Sequence, residues 1–254
     1  PPRDELKVLH PATFPEPDIE KLITFFTKKG ETVLDPFLGS GTTCIAAINT
    51  DRQSIGVELF DKWADLAEER VNKRSMNRPM ALFDDVPIDM KPPEIIRGDA
   101  RSAHQKISND SVDFLVTSPP YWGILFKNQD HKARAERLAH DRPTDYGESE
   151  NDLSLIDDYD DFIHALTDVM GQYVPKLKAG KYMAVVVSDF RHKSKFYSFH
   201  SDLSNALSKT GVALEGITIL AQTNKNLYPY GIPAAFVSNI HHQYVLLFRK
   251  PRVK

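Results

Sequence analysis

The sequence predicts an α/β domain in which a mostly parallel sheet carries helices on both faces. Short apolar or β-branched runs alternate with helical patterns along most of the 254 residues, and this rhythm is typical of β-α-β units. No internal repeat is visible. The last two strand-like runs, 214–223 and 241–250, have no helical pattern between them, so we expect them to pair antiparallel.

The first half of the chain justifies this fold element by element. ETVLD is a short β-branched run, whereas DKWADLAEERVNKR spaces its apolar residues at helical intervals after Asp61. A proline-bearing linker at 79–93 follows that helix. The predicted strands cover 31–35, 53–59, 94–99 and 111–118, and the predicted helices cover 41–50 and 61–74.

The second half continues the alternation but contains two irregular segments. Helices are predicted at 158–177 and 198–211, and strands at 181–189, 214–223 and 241–250. Residues 123–152 are polar and rich in Lys, Arg and His, and residues 223–240 carry Asn, Gly, Pro and aromatics. Since long irregular segments in a compact domain are usually functional loops or disordered, we interpret both as loops of one domain, 1–254.

The composition restricts the class of protein. The chain is 41% hydrophobic and 26% charged, which suits a domain with a buried core. It has no apolar run of about 20 residues and no signal-peptide pattern, and a lone cysteine, Cys44, fits a reducing compartment. We therefore expect a cytoplasmic protein without a membrane segment. The net charge of −3 means that binding to DNA would require positive charge concentrated on one face.

A glycine turn follows the first predicted strand. Asp35 ends that strand, and Gly39-Ser40-Gly41 leads into a helix, where glycines allow close approach of a ligand and the helix N-terminus offers N–H groups. Gly-Lys-Ser/Thr is absent, which disfavours nucleotide hydrolysis. Glu58 ends the second strand about 20 residues later, as expected for a carboxylate that accepts ribose hydroxyls. Asp99 ends the third strand, where it can accept from an adenine amino group.

A proline corner, TSPPYW, follows the fourth predicted strand and so lies at the same sheet edge. Proline fixes φ and restricts the preceding residue, so Ser118, Pro119, Pro120 and Tyr121 form a rigid corner with fixed acceptors. Such acceptors suit an exocyclic amine, whose N–H groups can bond to Ser118 and to the Pro119 carbonyl. Tyr121 adds an aromatic face beside these acceptors.

These motifs together resemble the DNA amino-methyltransferases, the N4-cytosine and N6-adenine family that uses S-adenosylmethionine. The resemblance implies a Rossmann-like class I methyltransferase with a seven-stranded sheet and an antiparallel last strand. It implies cofactor binding by the loop HPAT (His10, Pro11, Ala12, Thr13), by the turn DPFLGSGTT (Asp35, Phe37, Gly39, Ser40, Gly41, Thr42, Thr43), and by Glu58, Leu59, Asp99 and Ala100. Catalysis falls to Ser118, Pro119, Pro120 and Tyr121.

The resemblance also indicates which methylation reaction is expected. Ser at the first position of the corner resembles the cytosine-N4 branch, with adenine N6, an exocyclic amine of RNA, or a catalytically inactive nucleic-acid-binding subunit as alternatives. Methylation at cytosine C5 needs a Pro-Cys nucleophile, whereas Cys44 follows Thr42-Thr43 and is interpreted as a small buried residue. His241-His242 lacks further ligands, so no metal is assigned.

Double-stranded DNA is the expected partner, and the sequence leaves open whether a restriction or specificity partner accompanies the protein. The irregular segments 123–152 and 223–240 are the predicted target-recognition loops. Basic side chains in the first, and the basic and aromatic stretch FRHKSKFY at 190–197, are predicted to meet phosphates. The residues assigned to nucleic acid are Trp122, Lys127, His131, Lys132, Arg134, Arg137, Arg142, Arg191 and Lys193.

Overall fold

The computed structural model describes residues 15–76, 91–123, 149–192, 195–222, 229–230 and 237–252. Its centre is a seven-stranded sheet with the order β3-β2-β1-β4-β5-β11-β8. Neighbours from β3 to β5 are parallel, and β11 is antiparallel to both β5 and β8. The predicted fold class is therefore confirmed, including the antiparallel last strand.

The strands of the main sheet come from short segments with mostly buried side chains. The central strand β4 is buried along its whole length, because helices cover both of its faces. The bounds are β1 Thr32–Asp35, β2 Gln53–Glu58, β3 Glu94–Arg97, β4 Val112–Thr117, β5 Leu177–Val187, β8 Ala213–Ala221 and β11 His242–Arg249.

Two small hairpins and the helices complete the described part of the chain. The hairpins consist of β6 Phe190–His192 with β7 Lys195–Tyr197, and of β9 Pro229–Tyr230 with β10 Val237–Ser238. The α-helices are α1 Glu16–Phe26, α2 Thr42–Asn49, α3 Asp61–Met76, α4 Ala100–Ala103, α5 Tyr159–Tyr173 and α6 Phe199–Leu207. Short 3₁₀ segments occupy His104–Lys106, Leu153–Leu155 and Val174–Lys176.

The core has a layer on each side of the sheet. Apolar side chains of α1 and α2 pack on one face, and α3 packs against α2 through Ala67 and Val71. The side chains of α5 and α6, such as Phe162 and Leu203, pack on the other face. Burial of apolar surface contributes about 25 cal/mol per Å² of stabilisation, and this holds each layer on its face of the sheet. No helix of the described residues is long and apolar enough to cross a membrane.

Two sequence expectations need correction. Strand β5 begins at Leu177, not at 181, because the polar start Leu177–Lys181 already pairs with β4 at Leu177 and with Lys250 through the Gly180 N–H. The stretch 190–197 forms the β6–β7 hairpin, a regular element that the basic and aromatic composition did not indicate.

Candidate active site

One cavity of about 530 Å³ lies beyond the carboxyl ends of β1, β2, β3 and β4, where open α/β sheets bind their ligands. The glycine turn, Glu58 and Asp99 line it together with the proline corner Ser118–Tyr121. The two motifs that the sequence separates by about eighty residues therefore share one space. Within the predicted set, the lining residues are Asp35, Phe37, Gly39, Ser40, Thr42, Thr43, Glu58, Leu59, Asp99, Ala100, Ser118, Pro119, Pro120 and Tyr121.

Asp35 ties the turn to the corner. Its Oδ1 accepts from the Phe37 N–H at 3.0 Å and from the Thr117 hydroxyl at 2.6 Å, and its Oδ2 accepts from the Thr43 hydroxyl at 2.6 Å. Burial raises the pKa of Asp35, although these three bonds oppose the shift. Because Thr117 immediately precedes Ser118, this carboxylate fixes the corner relative to the turn and acts chiefly as a positioning residue.

The glycine turn uses much of its own hydrogen-bonding capacity. The Leu38 N–H donates to the Val57 carbonyl and the Gly39 N–H donates to Glu58 Oε2. The Gly41 N–H donates to the Leu38 carbonyl. These three N–H groups are therefore used within the protein, and the expectation that the N-terminus of α2 offers its N–H groups to a ligand stays a prediction. Gly41 has φ +82°, and a Cβ there would lie 3.0 Å from Ala67 Cβ, so this glycine allows α2 to pack on α3.

Glu58 is buried at the end of β2, with 7% of its surface exposed. Its Oε2 accepts from Gly39 N–H at 2.7 Å and its Oε1 from Phe60 N–H at 3.0 Å. Burial raises the pKa of Glu58 to about 7, against these hydrogen bonds. Each carboxylate oxygen has about two acceptor sites, so the cavity side can still accept hydroxyl groups.

Asp99 is held by Arg101. The Arg101 N–H and Nε both donate to Asp99 Oδ1, and Nε and Nη2 reach Oδ2 at 2.9 and 2.8 Å. Asp99 also caps α4. The sequence assigned this carboxylate to the adenine amino group, but the structure directs both its oxygens to Arg101.

The proline corner follows the buried strand β4 directly. Pro119 is buried, whereas Ser118, Pro120 and Tyr121 are half-buried. The Tyr121 ring lies 5.8 Å from the ring of Phe199. Burial raises the pKa of Tyr121 to about 12, against hydrogen bonds with the Gln243 side chain and the Ser188 backbone. The phenol therefore stays protonated, and one side of this ring is anchored in the protein.

Trp122 was assigned to nucleic acid, and this assignment is wrong. Only 6% of its surface is exposed, its Nε1–H donates to the Ile156 carbonyl at 2.8 Å, and its ring lies 5.1 Å from Tyr197 and 5.3 Å from His192. A base cannot stack on a ring whose surroundings are already filled. Trp122 instead anchors the end of the corner to the core.

The other nucleic-acid residues are mostly outside the described residues. Arg191 lies on the β6–β7 hairpin with its guanidinium 5.0 Å from the Phe196 ring, and Phe196 is 46% exposed. The contact of Arg191 with nucleic acid stays a prediction. The residues outside the described part are His10, Pro11, Ala12, Thr13, Lys127, His131, Lys132, Arg134, Arg137, Arg142 and Lys193.

Sequence reasoning missed several residues of the site. Arg70 of α3 is fully buried; its guanidinium donates to the Ser40 carbonyl and, at 2.5 Å, to Glu16 Oε1. It therefore joins the turn to α1. Amphipathic spacing on α3 gave no signal for a buried cation. The cavity also includes Asn151, Asp152, Gln222 and Gln243, which come from segments distant in sequence and belong to no local motif.

Cys44 is fully buried in α2, and burial raises its pKa to about 12. The side chain thus remains a thiol, consistent with the interpretation as a small buried residue rather than a nucleophile. Within the described ranges, no group of three or more His, Cys, Asp or Glu side chains is arranged to hold a metal ion.

Known proteins resemble this chain most clearly in its first quarter. A family model described as DNA methylase, of the N6/N4 type, matches residues 2–69. The orphan methyltransferase M.BamHII of Bacillus amyloliquefaciens is 41% identical over 68 residues, 27% of this chain and 26% of that protein. The type II methyltransferase M.MjaI of Methanocaldococcus jannaschii is 48% identical over 60 residues, 24% of this chain and 20% of that protein.

The chain thus matches about a quarter or less of the length of these relatives. A candidate methyltransferase of Bacillus halodurans C-125 has the same fold, with a TM-score of 0.54 at 13% identity, over 92% of this chain and 99% of that structure. This likeness concerns the fold, which is the Rossmann-like fold of methyltransferases. The matched segment contains the glycine turn and Glu58. Residues 2–69 are therefore similar to the DNA methylases of the N6/N4 type.

Proposed function

We propose that this protein is an S-adenosylmethionine-dependent DNA methyltransferase that methylates the exocyclic N4 amine of a flipped-out cytosine. The observation that carries the proposal is the cavity of about 530 Å³ in which the glycine turn and the corner Ser118–Tyr121 face the same space. A cofactor and an amine must meet in one site for a methyl group to pass between them.

The residues of the cavity fit the cofactor. Its volume falls within the range of small-molecule sites, roughly 300 to 1,000 Å³. Glu58 supplies acceptor oxygens for sugar hydroxyls, and the apolar side chains of Phe37 and Leu59 supply surface for a ring. S-adenosylmethionine, when bound, supplies the activated methyl group.

The corner orients the acceptor amine. The Ser118 hydroxyl and the Pro119 carbonyl accept the two N–H groups of the amine and favour a tetrahedral nitrogen, whose lone pair then becomes available. Tyr121 stacks on the extruded base. Asp35, through Thr117, holds the corner in register with the glycine turn. Positioning and fixed dipoles therefore account for the rate, without a covalent intermediate.

Ser118 is the feature that favours cytosine, because Ser at this position resembles the N4 branch of the family. The family model that matches residues 2–69, described as DNA methylase, supports DNA as substrate.

The test is a product analysis. The protein is incubated with unmethylated DNA and methyl-labelled cofactor, and the DNA is digested to nucleosides and separated. We expect N4-methylcytosine as the labelled species. Label in N6-methyladenine would overturn the choice of base, and label only in supplied RNA would overturn the substrate class. Cofactor binding without any transfer would favour a non-catalytic subunit.

A further inference from the structure

We propose that the side-chain amides of Gln243 and Gln222 recognise the target cytosine, by donating hydrogen bonds to its ring N3 and to its O2. This role rests on the proposed function, because it assumes that a base with an exocyclic amine reaches the proline corner. Both glutamines line the same cavity as that corner.

The two glutamines lie at the end of the cavity that is far from Asp99. In the sheet order β3-β2-β1-β4-β5-β11-β8, Asp99 comes after the edge strand β3 and Ser118 after the central strand β4. Gln243 lies on β11 and Gln222 directly follows β8. Because the residues proposed for the cofactor occupy the β3–β1 side, the space on the β11 side is left for the base.

Strand pairing places both side chains on one face of the sheet. Gln243 lies opposite Leu220 of β8, and the Gln222 N–H donates to the His241 carbonyl at 2.8 Å, which extends the same register. Since side chains alternate between the faces of a strand, Gln222 shares the face of Leu220 and is the diagonal neighbour of Gln243. Such neighbours lie about 7–8 Å apart, so two long side chains can converge on one ligand.

The Gln243 amide lies next to the ring that is proposed to stack on the base. Its side chain forms a hydrogen bond with the Tyr121 hydroxyl. A carboxamide has two N–H donors and one acceptor oxygen, so at least one N–H remains, whichever amide atom contacts the phenol. Gln243 and Gln222 are both half-buried and line the cavity, so a base in the cavity can reach them.

The edge of cytosine presents groups in an order that matches these side chains. Beside its N4 amine, cytosine has two acceptors in a row, N3 and O2, whereas adenine has N1 and then a C–H group. The corner accepts from the amine, Gln243 donates to the adjacent ring nitrogen, and Gln222 donates to O2. With adenine, the Gln222 donor would face a C–H group and lose its partner, which is costly. The pair therefore favours cytosine, a choice that the corner alone does not make.

The experiment is a cycle between side chains and base atoms, measured with the full chain as single-turnover methylation. The modified site is first located in unmethylated DNA. Duplexes with that site then carry cytosine, 3-deazacytosine or 2-thiocytosine as the target base. 3-Deazacytosine has a C–H group in place of N3, and the sulfur of 2-thiocytosine is a weaker acceptor than O2. Gln243→Met and Gln222→Met keep the length of the side chain and remove its donors.

Each variant should lose rate only where the base still carries the acceptor that its glutamine would bond. On cytosine, we expect each to be slower than wild type by roughly 5- to 150-fold, the range for a lost buried hydrogen bond. On 3-deazacytosine the deficit of Gln243→Met should disappear while that of Gln222→Met persists, and 2-thiocytosine should reduce only the deficit of Gln222→Met. Comparison of wild type and variant on the same base cancels the intrinsic reactivity of its amine.

The matched control is Gln105→Met, which changes an exposed glutamine and should equal wild type on all three bases. Thermal unfolding of each variant verifies its fold. Deficits that are the same on all three bases would assign both glutamines to the shape of the pocket and overturn this inference alone, as would unchanged rates on cytosine. Wild type that transfers no methyl group to DNA, or transfers it to adenine, would overturn the proposed function together with this inference.

Discussion

At the scale of single residues, Glu58 has a structural task besides the ligand-binding role proposed above. Its carboxylate accepts the N–H groups of Gly39 and Phe60 while its pKa is raised by burial to about 7. The folded state therefore holds a proton that the unfolded chain releases at about pH 4.5. Between these values the native state binds more protons, so the stability contributed by this group falls as the pH rises.

We expect the free energy of unfolding of wild type, relative to Glu58→Gln, to decrease from pH 5 to pH 8 by up to about 3 kcal/mol, the equivalent of the pKa shift. Urea unfolding of both proteins across this range measures the difference. Replacement of the exposed Glu215 by Gln serves as the control for loss of a carboxylate. If the difference in unfolding free energy between wild type and Glu58→Gln did not change with pH, the raised pKa of Glu58 would be contradicted.

Substitutions of Tyr121 are expected to separate cofactor binding from methyl transfer. Tyr121→Ala removes the stacking ring and should abolish most methyl transfer while cofactor affinity remains, because stacking is worth roughly 1–3 kcal/mol per base. Tyr121→Phe keeps the ring against Phe199 and loses only the contacts of the hydroxyl with Gln243 and Ser188, so it should lose little activity. Single-turnover rates and calorimetry measure the two effects. Equal losses of rate in both variants would point to a role of the hydroxyl.

At the scale of elements, the packing of α2 on α3 sets the shape of the glycine turn. Gly41 precedes α2 with a positive φ, and Ala67 of α3 lies against it. From the other side, Arg70 of α3 donates to the Ser40 carbonyl. The turn is thus shaped by a helix that comes later in the chain, and only part of its geometry arises from its own glycines.

Gly41→Ala should destabilise the fold by about 2–4 kcal/mol, because the cost of a left-handed residue adds to overpacking against Ala67. Gly211→Ala is the matched control: its φ is +94°, but a Cβ there meets nothing within 4 Å, so it should cost only about 1–2 kcal/mol. Denaturant unfolding compares them. If both variants lost the same free energy of unfolding, the packing of α2 on α3 would not require a glycine at position 41.

At the scale of the whole molecule, the charge is nearly balanced, with 32 Lys and Arg against 35 Asp and Glu. A DNA-binding face must therefore be local. The basic residues at 127–142 follow the corner in sequence, and the corner itself lines the cavity. The exposed lysines Lys28, Lys106 and Lys209 instead lead into the amino ends of β1, β4 and β8, at the opposite edge.

Neutralising Lys132, Arg134 and Arg137 together should weaken DNA binding across all sequences. It should also make the dependence of log K on log salt shallower by roughly one unit per lost phosphate contact. Neutralising Lys28, Lys106 and Lys209 changes the net charge equally and should leave that slope unchanged. DNA-binding titrations at several salt concentrations give both slopes. Equal slopes for the two triple variants would reduce the basic segment to a solvated surface.

The sequence by itself determined the fold class and the two motifs of the site. Alternating apolar periods fix which segments become strands and helices, and parallel strands bring the ends of β1, β2, β3 and β4 to one edge. Glycine and proline then constrain the local backbone at Gly41 and at Pro119-Pro120. All of these are properties of neighbouring residues, so a single sequence carries them.

Only the tertiary structure decided how the polar groups are used. Asp99 resembles a free acceptor in the sequence, but it forms an ion pair with Arg101, and Trp122 is buried in an aromatic cluster. Asp152 enters the cavity some fifty residues after Asp99. Hydrogen bonds and burial depend on which atoms come into contact in the folded chain. Local sequence patterns do not specify these long-range contacts.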